Sequence, residues 1–262
     1  MNPWRNKNQN KIKAQKHTED MEIKYSDIIR ECVEDSIIYP PTKDIPKFEL
    51  LEEYDTRIDV VDKDSVTSVF DYAMDSVVAV LNFASYKNPG GRFFDGSIAQ
   101  EEALCHESIL YNVLSDEKFK DEFYKPNLKR LNKALYNNNL IYSPEILFVR
   151  DNLKAYADVI TCAAPNTGFA MNTCGVSRDK VNSCMKSRIQ HLLYSALEQG
   201  AEILILGAFG CGVFKNDPYD VAKIFKEELD TTFKGAFEKV VFAIPNNKSE
   251  NYKAFESIFK EA

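Results

Sequence analysis

The apolar positions of this chain fall into short, nearly continuous runs separated by stretches with helical spacing. The runs at 56–61, 77–83, 145–149, 158–163, 202–206 and 239–244 read as strands. They are short, rich in β-branched residues and nearly continuous, the pattern of strands covered on both faces. Helical patterns lie between them. Ser65 is placed to cap a helix over 66–74, and over 100–114 Ala103, Leu110, Val113 and Leu114 share one face at spacings of seven, three and four. The stretch 180–198 stops before Gly200. Asp217-Pro218 starts a helix over 219–229 with proline in its first turn, and a helix over 249–259 closes the chain. Strands alternating with helices predict an α/β fold, a three-layer α/β/α sandwich around a mixed central sheet. Ligands of such folds sit at the loops beyond the strand C-terminal ends.

Residues 1–50 have a different texture. Lys, Asn and Gln dominate the first 17, positions 23–38 carry moderate helical patterning, and Pro40, Pro41 and Pro46 then interrupt any helix. This predicts an N-terminal helical appendage and linker over 1–50, ahead of a domain over 51–262. With 262 residues and 44% hydrophobic content the chain has ample material for a core. Lys plus Arg number 33 against 40 Asp plus Glu, a net charge of −7 that argues against a non-specific coat on duplex nucleic acid. No apolar run approaches the roughly 18 residues of a membrane span. The polar start has no secretory pattern. Six scattered cysteines form no zinc-like grouping with the three histidines, so the expectation is a cytoplasmic protein with reduced thiols and no metal.

Two strand-to-helix connections carry the candidate chemistry. The first runs from Ala84 through Asn88-Pro89-Gly90-Gly91-Arg92 and Gly96 to Gln100-Glu101-Glu102. Its glycines let backbone approach another group closely, and two adjacent carboxylates then open a helix. A structural reading is available for the carboxylates, since acidic side chains at a helix start are stabilised by the macrodipole. The second connection is Gly207-Ala208-Phe209-Gly210-Cys211-Gly212-Val213-Phe214-Lys215-Asn216-Asp217-Pro218. Free backbone N–H groups in such a loop form a cradle for phosphate or diphosphate. The glycine spacing fits neither the dinucleotide GxGxxG nor the Walker motif. Phe209 and Phe214 are available either for ribose and base contacts or as pegs into the core. Together the loops point to a diphosphate-containing nucleotide with a carboxylate near one end.

These residues resemble the microbial poly(ADP-ribose) glycohydrolases. The resemblance rests on Asn82-Phe83-Ala84-Ser85, on Asn88-Pro89-Gly90-Gly91 and on Gln100-Glu101-Glu102. It continues through Ile141-Tyr142-Ser143-Pro144, Val149-Arg150-Asp151, Ala163-Ala164-Pro165-Asn166, the stretch 207–218, the Arg178 and Arg188 helix and Val241-Phe242-Ala243-Ile244, collinear over roughly 60–260. It implies a macrodomain-like core that hydrolyses ribose–ribose O-glycosidic bonds from chain ends and releases ADP-ribose, without a cofactor. It also implies Glu102 as general acid and base, Glu101 on the adjacent ribose hydroxyl, and Asn88 as a ribose partner. Gly90, Gly91 and Gln100 complete the first loop of the ADP-ribose site, and Gly207, Phe209, Gly210, Cys211, Gly212, Val213 and Phe214 the second. Phe214 presses on the ribose at the scissile bond. The diphosphate itself assists the attacking water by proximity.

Arg92 stands where the family commonly carries a third glycine. Its side chain either narrows the site, points to solvent or reaches a substrate phosphate. Two close carboxylates repel, so one of them holds a proton near neutral pH and can donate it. Arg150, Asn166 and Cys211 are read as structural, and His106 as a partly exposed neighbour of the acid helix. The expected partner is poly(ADP-ribose) or an ADP-ribosylated macromolecule, met by a monomer with no membrane and no sequence-specific nucleic acid. Two alternatives share the motif: removal of single ADP-ribosyl groups, and a non-catalytic ADP-ribose reader. The paired acid argues against a pure reader.

Overall fold

The computed structural model describes residues 7–73 and 76–260. The readings that fall on residues 1–6 and on Met74 lie outside the described residues. The sheet is formed by β1 (Ile37–Tyr39), β2 (Arg57–Val61), β3 (Val78–Phe83), β4 (Leu140–Arg150), β5 (Leu153–Cys162), β6 (Ile203–Leu206) and β7 (Lys239–Ala243). Their spatial order is β1-β4-β5-β3-β6-β7-β2. The strands from β5 across to β2 run parallel, and β4 and β1 close one edge antiparallel. The sheet is therefore mixed, as expected.

Strand alternation sends side chains into two cores. From β3, Ala79 and Leu81 join one core, and Val78 and Val80 join the other. The first core is roofed by α6 (Arg178–Glu198), α7 (Pro218–Asp230) and α8 (Glu250–Lys260), which contribute Ile189, Leu192, Phe225 and Phe255. Phe242 of β7 meets Phe225, Phe255 and Phe259 at centroid distances of 5.3, 5.0 and 4.6 Å, a contact set that ties two helices to the sheet. The second core lies under α1 (Lys7–Asp35), α2 (Ser65–Tyr72), α3 (Gln100–His106) and α4 (Leu110–Leu114). The short α5 (Thr167–Asn172) follows β5.

Three departures from the sequence reading have local causes. The cap of α2 is Asp64, whose carboxylate accepts the Thr67 N–H at 2.8 Å, while the Ser65 hydroxyl accepts from Gln100 Nε2 at 3.1 Å. The helix read over 100–114 breaks at 107–109, because those residues turn out to pair with β4. Ile109 N–H donates to Leu147 O at 3.1 Å and Val149 N–H to Glu107 O at 2.8 Å. The Ser108 hydroxyl bridges the break, donating to Leu104 O at 2.7 Å and accepting the Leu110 N–H at 3.1 Å. Third, β1 takes residues 37 and 38 from the expected helical stretch and Tyr39 from the expected linker into the sheet edge.

The N-terminal segment is helical from Lys7, with non-helical backbone at Tyr25. Apart from buried Asn10 its polar residues lie mostly on the outside, while Ala14, Met21, Ile29 and Cys32 enter the second core. That sparse stripe is why the first 17 residues do not read as a helix. Lys118 donates to Val33 O at 2.7 Å and Ser36 O at 2.9 Å, satisfying carbonyls at the end of α1. At the other end, Asn10 Nδ2 donates to Gly96 O at 3.2 Å and His17 Nε2 to Ser108 O at 2.8 Å. Gly96 has φ +76°, and a Cβ there would lie 2.3 Å from Lys7 O. The α1 helix thus rests on the turn that leads into α3. Gly96→Ala is expected to lower stability by about 2–3 kcal/mol through backbone strain and the clash, read as a lower urea midpoint; an unchanged midpoint would show that α1 is not seated there.

Candidate active site

A cleft of about 580 Å³ opens where the parallel strands end. Its walls come from the connections after β2 (Asp64, Ser65, Val66), β3 (Phe83 to Ser85), β5 (Ala164), β6 (Ala208 to Gly210 and Gly212 to Phe214) and β7 (Ala243 to Pro245). The start of α3 forms the inner wall with Gln100, Glu101 and Glu102, and Ser249 and Asn251 stand at the start of α8. The volume and position match a small-ligand site at the carboxyl edge of an α/β sheet.

Glu101 and Glu102 are 4% and 5% exposed. Glu101 is fully engaged. Its Oε2 accepts the Ser85 N–H at 2.7 Å, its Oε1 receives Asn82 Nδ2 at 3.5 Å, and the Gly90 N–H also reaches its carboxylate. Asn82 and Thr161 sit side by side in the β3–β5 register, and Asn82 Nδ2 also contacts Thr161 Oγ1 at 3.3 Å. Glu102 is held on one side only: Oε1 accepts the Arg92 N–H at 2.9 Å, and the buried Oε2 has no partner among the described residues. A buried carboxylate oxygen without a partner is costly in a finished core and is what an acid awaiting substrate would show. Burial pushes the Glu101 carboxyl up to about 8, the Ser85 N–H pulling against it and the neighbouring Glu102 charge adding to it. The Glu101 carboxyl therefore keeps its proton to higher pH than an ordinary carboxylate.

Gly91 makes this packing possible. It has φ +61°, and a Cβ there would fall 2.6 Å from Glu101 Oε2 and 2.7 Å from Glu102 Oε1. Gly90, with φ +62°, lies against the Tyr111 ring at 2.7 Å from its would-be Cβ. Arg92 needs no such freedom. Its φ is −112°, its N–H holds Glu102, and its side chain is 70% exposed and paired with Asp95 at 3.0 Å. The solvent alternative is the one observed. Gln100 is fully employed inside the protein, accepting the Phe83 N–H at 2.8 Å and donating to Leu81 O at 2.8 Å. It staples α3 to the end of β3. The side chain of Asn88 is in solvent, while its N–H donates to Ser85 Oγ at 3.2 Å.

In the second loop, the N–H groups of Gly210, Gly212, Val213 and Phe214 donate to no described residue. Gly210 has φ +73°, and a Cβ would strike Ala164 at 2.5 Å and Asn216 at 2.6 Å, whereas Gly212 faces open space. Asn216 Nδ2 closes the loop on Pro165 O at 2.8 Å and Gly210 O at 3.0 Å. These free donors make an anion cradle. Val213 is 81% exposed at the cleft edge, and Phe214 is half-buried, lining the cleft. Phe209 is a core peg, fully buried and 5.7 Å from Phe83, so its ring is not offered to a base. Gly207, Gly90 and Cys211 sit behind the lining, Gly207 pressed on Ala243 O and Cys211 with its thiol pushed up to about 12 by burial.

Other candidates resolve as structure. Arg150 forms a two-pronged ion pair with Glu107, its Nη2 at 3.2 Å, and Asn166 caps α5 by accepting the Phe169 N–H at 3.2 Å. His106, read as partly exposed, is buried with its ring 4.5 Å from Phe93, and burial lowers its pKa to about 4. Sequence reasoning missed the working roles of Asn82 and Ser85 under Glu101. The period-two alternation of β3 was the available signal, since it turns Asn82 towards the α3 side.

The fold and cleft define an α/β nucleotide-site hydrolase architecture of the macrodomain kind. The family described as microbial-type PARG, catalytic domain, matches over residues 7–151, and the chain belongs to it. Among solved structures, the poly(ADP-ribose) glycohydrolase of Thermomonospora curvata is 29% identical, with TM-score 0.84 over 96% of this chain and 100% of that one. Its complex with the inhibitor ADP-HPD matches with TM-score 0.82 at 29% identity, covering 95% and 99%. The Deinococcus radiodurans glycohydrolase in complex with ADP-ribose is 30% identical, with TM-score 0.79 over 89% and 97%. A search of curated proteins finds no match.

The Glu101 environment sets a pH dependence. The folded chain keeps this proton where an unfolded chain, with an ordinary value near 4.5, has released it. Stability contributed by this site therefore falls as pH rises from about 4.5 to about 8. A carbon-13 carboxyl titration, assigned with Glu101→Gln, should show a midpoint near 8; a midpoint in the ordinary carboxylate range contradicts the account.

Proposed function

We propose that the protein is a poly(ADP-ribose) glycohydrolase that cleaves the ribose–ribose O-glycosidic bond and releases ADP-ribose. The observation that carries this reading is the single unpartnered oxygen of buried Glu102, placed in one cleft with a loop of free backbone donors. The donors of 210–214 suit the diphosphate, and Phe214 bounds the cleft where the terminal ribose would meet the acid. The matched Deinococcus enzyme holds ADP-ribose.

Glycosidic cleavage needs a proton for the leaving oxygen and a water for the oxocarbenium-like centre. Glu102 is the group with a free oxygen, so it supplies that proton and, as carboxylate, takes one from the attacking water. Glu101 cannot move as freely, because the Ser85 and Gly90 N–H groups and Asn82 hold it. A fixed Glu101 is suited to grip the adjacent ribose hydroxyl. The family resemblance implies that the substrate diphosphate assists the attacking water by proximity.

Every residue lining the cleft falls between Asp64 and Asn251, whereas the catalytic-domain match begins at residue 7, so we read 51–262 as the part that carries the cleft and 7–50 as an integral support of the same domain. Among the described residues no helix is long and apolar enough to cross a membrane. We read the enzyme as a cytoplasmic monomer acting from polymer ends; the free cysteines suit the reducing compartment, and the family resemblance implies action from chain ends. The test is Glu102→Gln against labelled poly(ADP-ribose). Wild type should release ADP-ribose, and the variant should lose at least about a thousandfold in kcat while ADP-ribose affinity stays within a few-fold. Retained turnover removes Glu102 from the role, and wild-type binding without release makes the protein a reader.

A further inference from the structure

Behind the second loop lies a support drawn from the helix layer on one face of the sheet. Arg188 of α6 is 1% exposed. Among the described residues its hydrogen bonds go to backbone carbonyls alone: Nε and Nη2 reach Asn137 O at 3.1 and 2.6 Å, and Nη2 reaches Leu135 O at 2.5 Å. The same helix adds His191, whose Nδ1 is 2.6 Å from Asn138 O, and Ser187, which accepts from Asn138 Nδ2 at 2.8 Å. A desolvated guanidinium is expensive to bury, so a purely apolar anchor would have been the simpler core. The segment it grips is also strained. Asn132, Lys133, Ala134 and Tyr136 have φ of 45°, 54°, 64° and 64°, in the left-handed region that L side chains avoid. Strain of this kind persists only where surrounding contacts over-determine it.

What the strained strap delivers is Tyr136. Its ring stacks on Tyr86 at 4.2 Å with planes 13° apart, and lies 6.1 Å from Phe214. Its hydroxyl is hydrogen-bonded to the Asn166 side chain, and Asn166 N–H donates to Ala134 O at 2.9 Å. Tyr86 belongs to the first glycine-rich loop, one residue after the Ser85 amide that holds Glu101, and Phe214 belongs to the second. One side chain therefore touches both walls of the cleft from behind.

We propose that Tyr136 and Arg188 are positioning residues for the reaction: α6, through Arg188, holds the 132–138 strap so that Tyr136 fixes the Phe214 ring and the Ser85–Tyr86 turn relative to each other. The proposal rests on the glycohydrolase reading above. Loosening this wedge lets the terminal ribose drift from Glu102 without removing the donors of 210–214. It should impair turnover more than binding, since catalytic groups misplaced by about 1 Å lose about a hundredfold.

The experiment compares wild type with Tyr136→Leu, Tyr136→Phe and Arg188→Lys on poly(ADP-ribose), with ADP-ribose binding measured by calorimetry. Tyr136→Leu should lose at least tenfold in kcat, with KM and ADP-ribose Kd within threefold of wild type. Tyr136→Phe, which keeps the stacked ring, should recover kcat to within threefold. Arg188→Lys, which loses the two-pronged grip, should show the kcat defect in milder form. Combining Tyr136→Leu with Phe214→Leu should cost less than the product of the two single losses, because part of the Tyr136 effect runs through Phe214. The proposal is overturned by a Tyr136→Leu kcat within twofold of wild type, or by parallel loss of kcat and ADP-ribose binding. Should Tyr136→Leu fail to fold, Tyr136→Met carries the same readout. Wild type that binds ADP-ribose but releases none would instead overturn the glycohydrolase reading.

Discussion

Like charges repel most strongly where water is absent, and Glu101 and Glu102 are consecutive residues that are both almost inaccessible. The first turn of α3 faces that problem, and much of the surrounding structure answers it. Backbone N–H groups from Ser85, Gly90 and Arg92 point at the two carboxylates, and Asn82 rises from β3 beneath them. The raised Glu101 carboxyl removes part of the repulsion by holding a proton. Left over is one oxygen of Glu102 with no partner among the described residues. The asymmetry between two chemically identical side chains thus comes from where the backbone donors happen to stand.

The fold places those donors by simple means. Parallel strands end together at one edge, so the connections after β3, β5, β6 and β7 converge on one cleft. Gln100 ties α3 to the last turns of β3, and α1 presses on the turn at Gly96 from outside. The strap over 132–138 backs both loops from the opposite side. The chemistry depends on loops, and the rigidity of those loops is borrowed from helices on either face.

Much of this was legible in the sequence. The continuous β-branched runs located β3, β6 and β7 to within a residue, because strands buried on both faces leave no polar gap to confuse the pattern; β2, at the sheet edge, was found in spite of its polar Arg57 and Asp59, and the exposed first half of β5 was missed. Gly91 and Gln100-Glu101-Glu102 located the site, since a glycine forced to φ +61° against two carboxylates has few substitutes. Other features had no local signal. The β1 strand is three residues long and is defined by its pairing to β4. The break at 107–109 is made by β4, distant in sequence. Phe209 and Phe214 look alike in the chain, yet only burial separates the core peg from the cleft wall. Asn82 and Arg188 likewise gain their roles from partners that tertiary structure brings to them.

The central claim is that the Glu101–Glu102 pair is held in working geometry by a backbone that tolerates no Cβ at Gly91. The most direct measurement is kcat on poly(ADP-ribose) for Gly91→Ala, with ADP-ribose affinity determined alongside. A methyl group 2.6–2.7 Å from both carboxylates must displace them, so kcat should fall at least about a hundredfold while affinity, carried by the 210–214 donors, stays within about fivefold. A kcat within threefold of wild type would contradict the account.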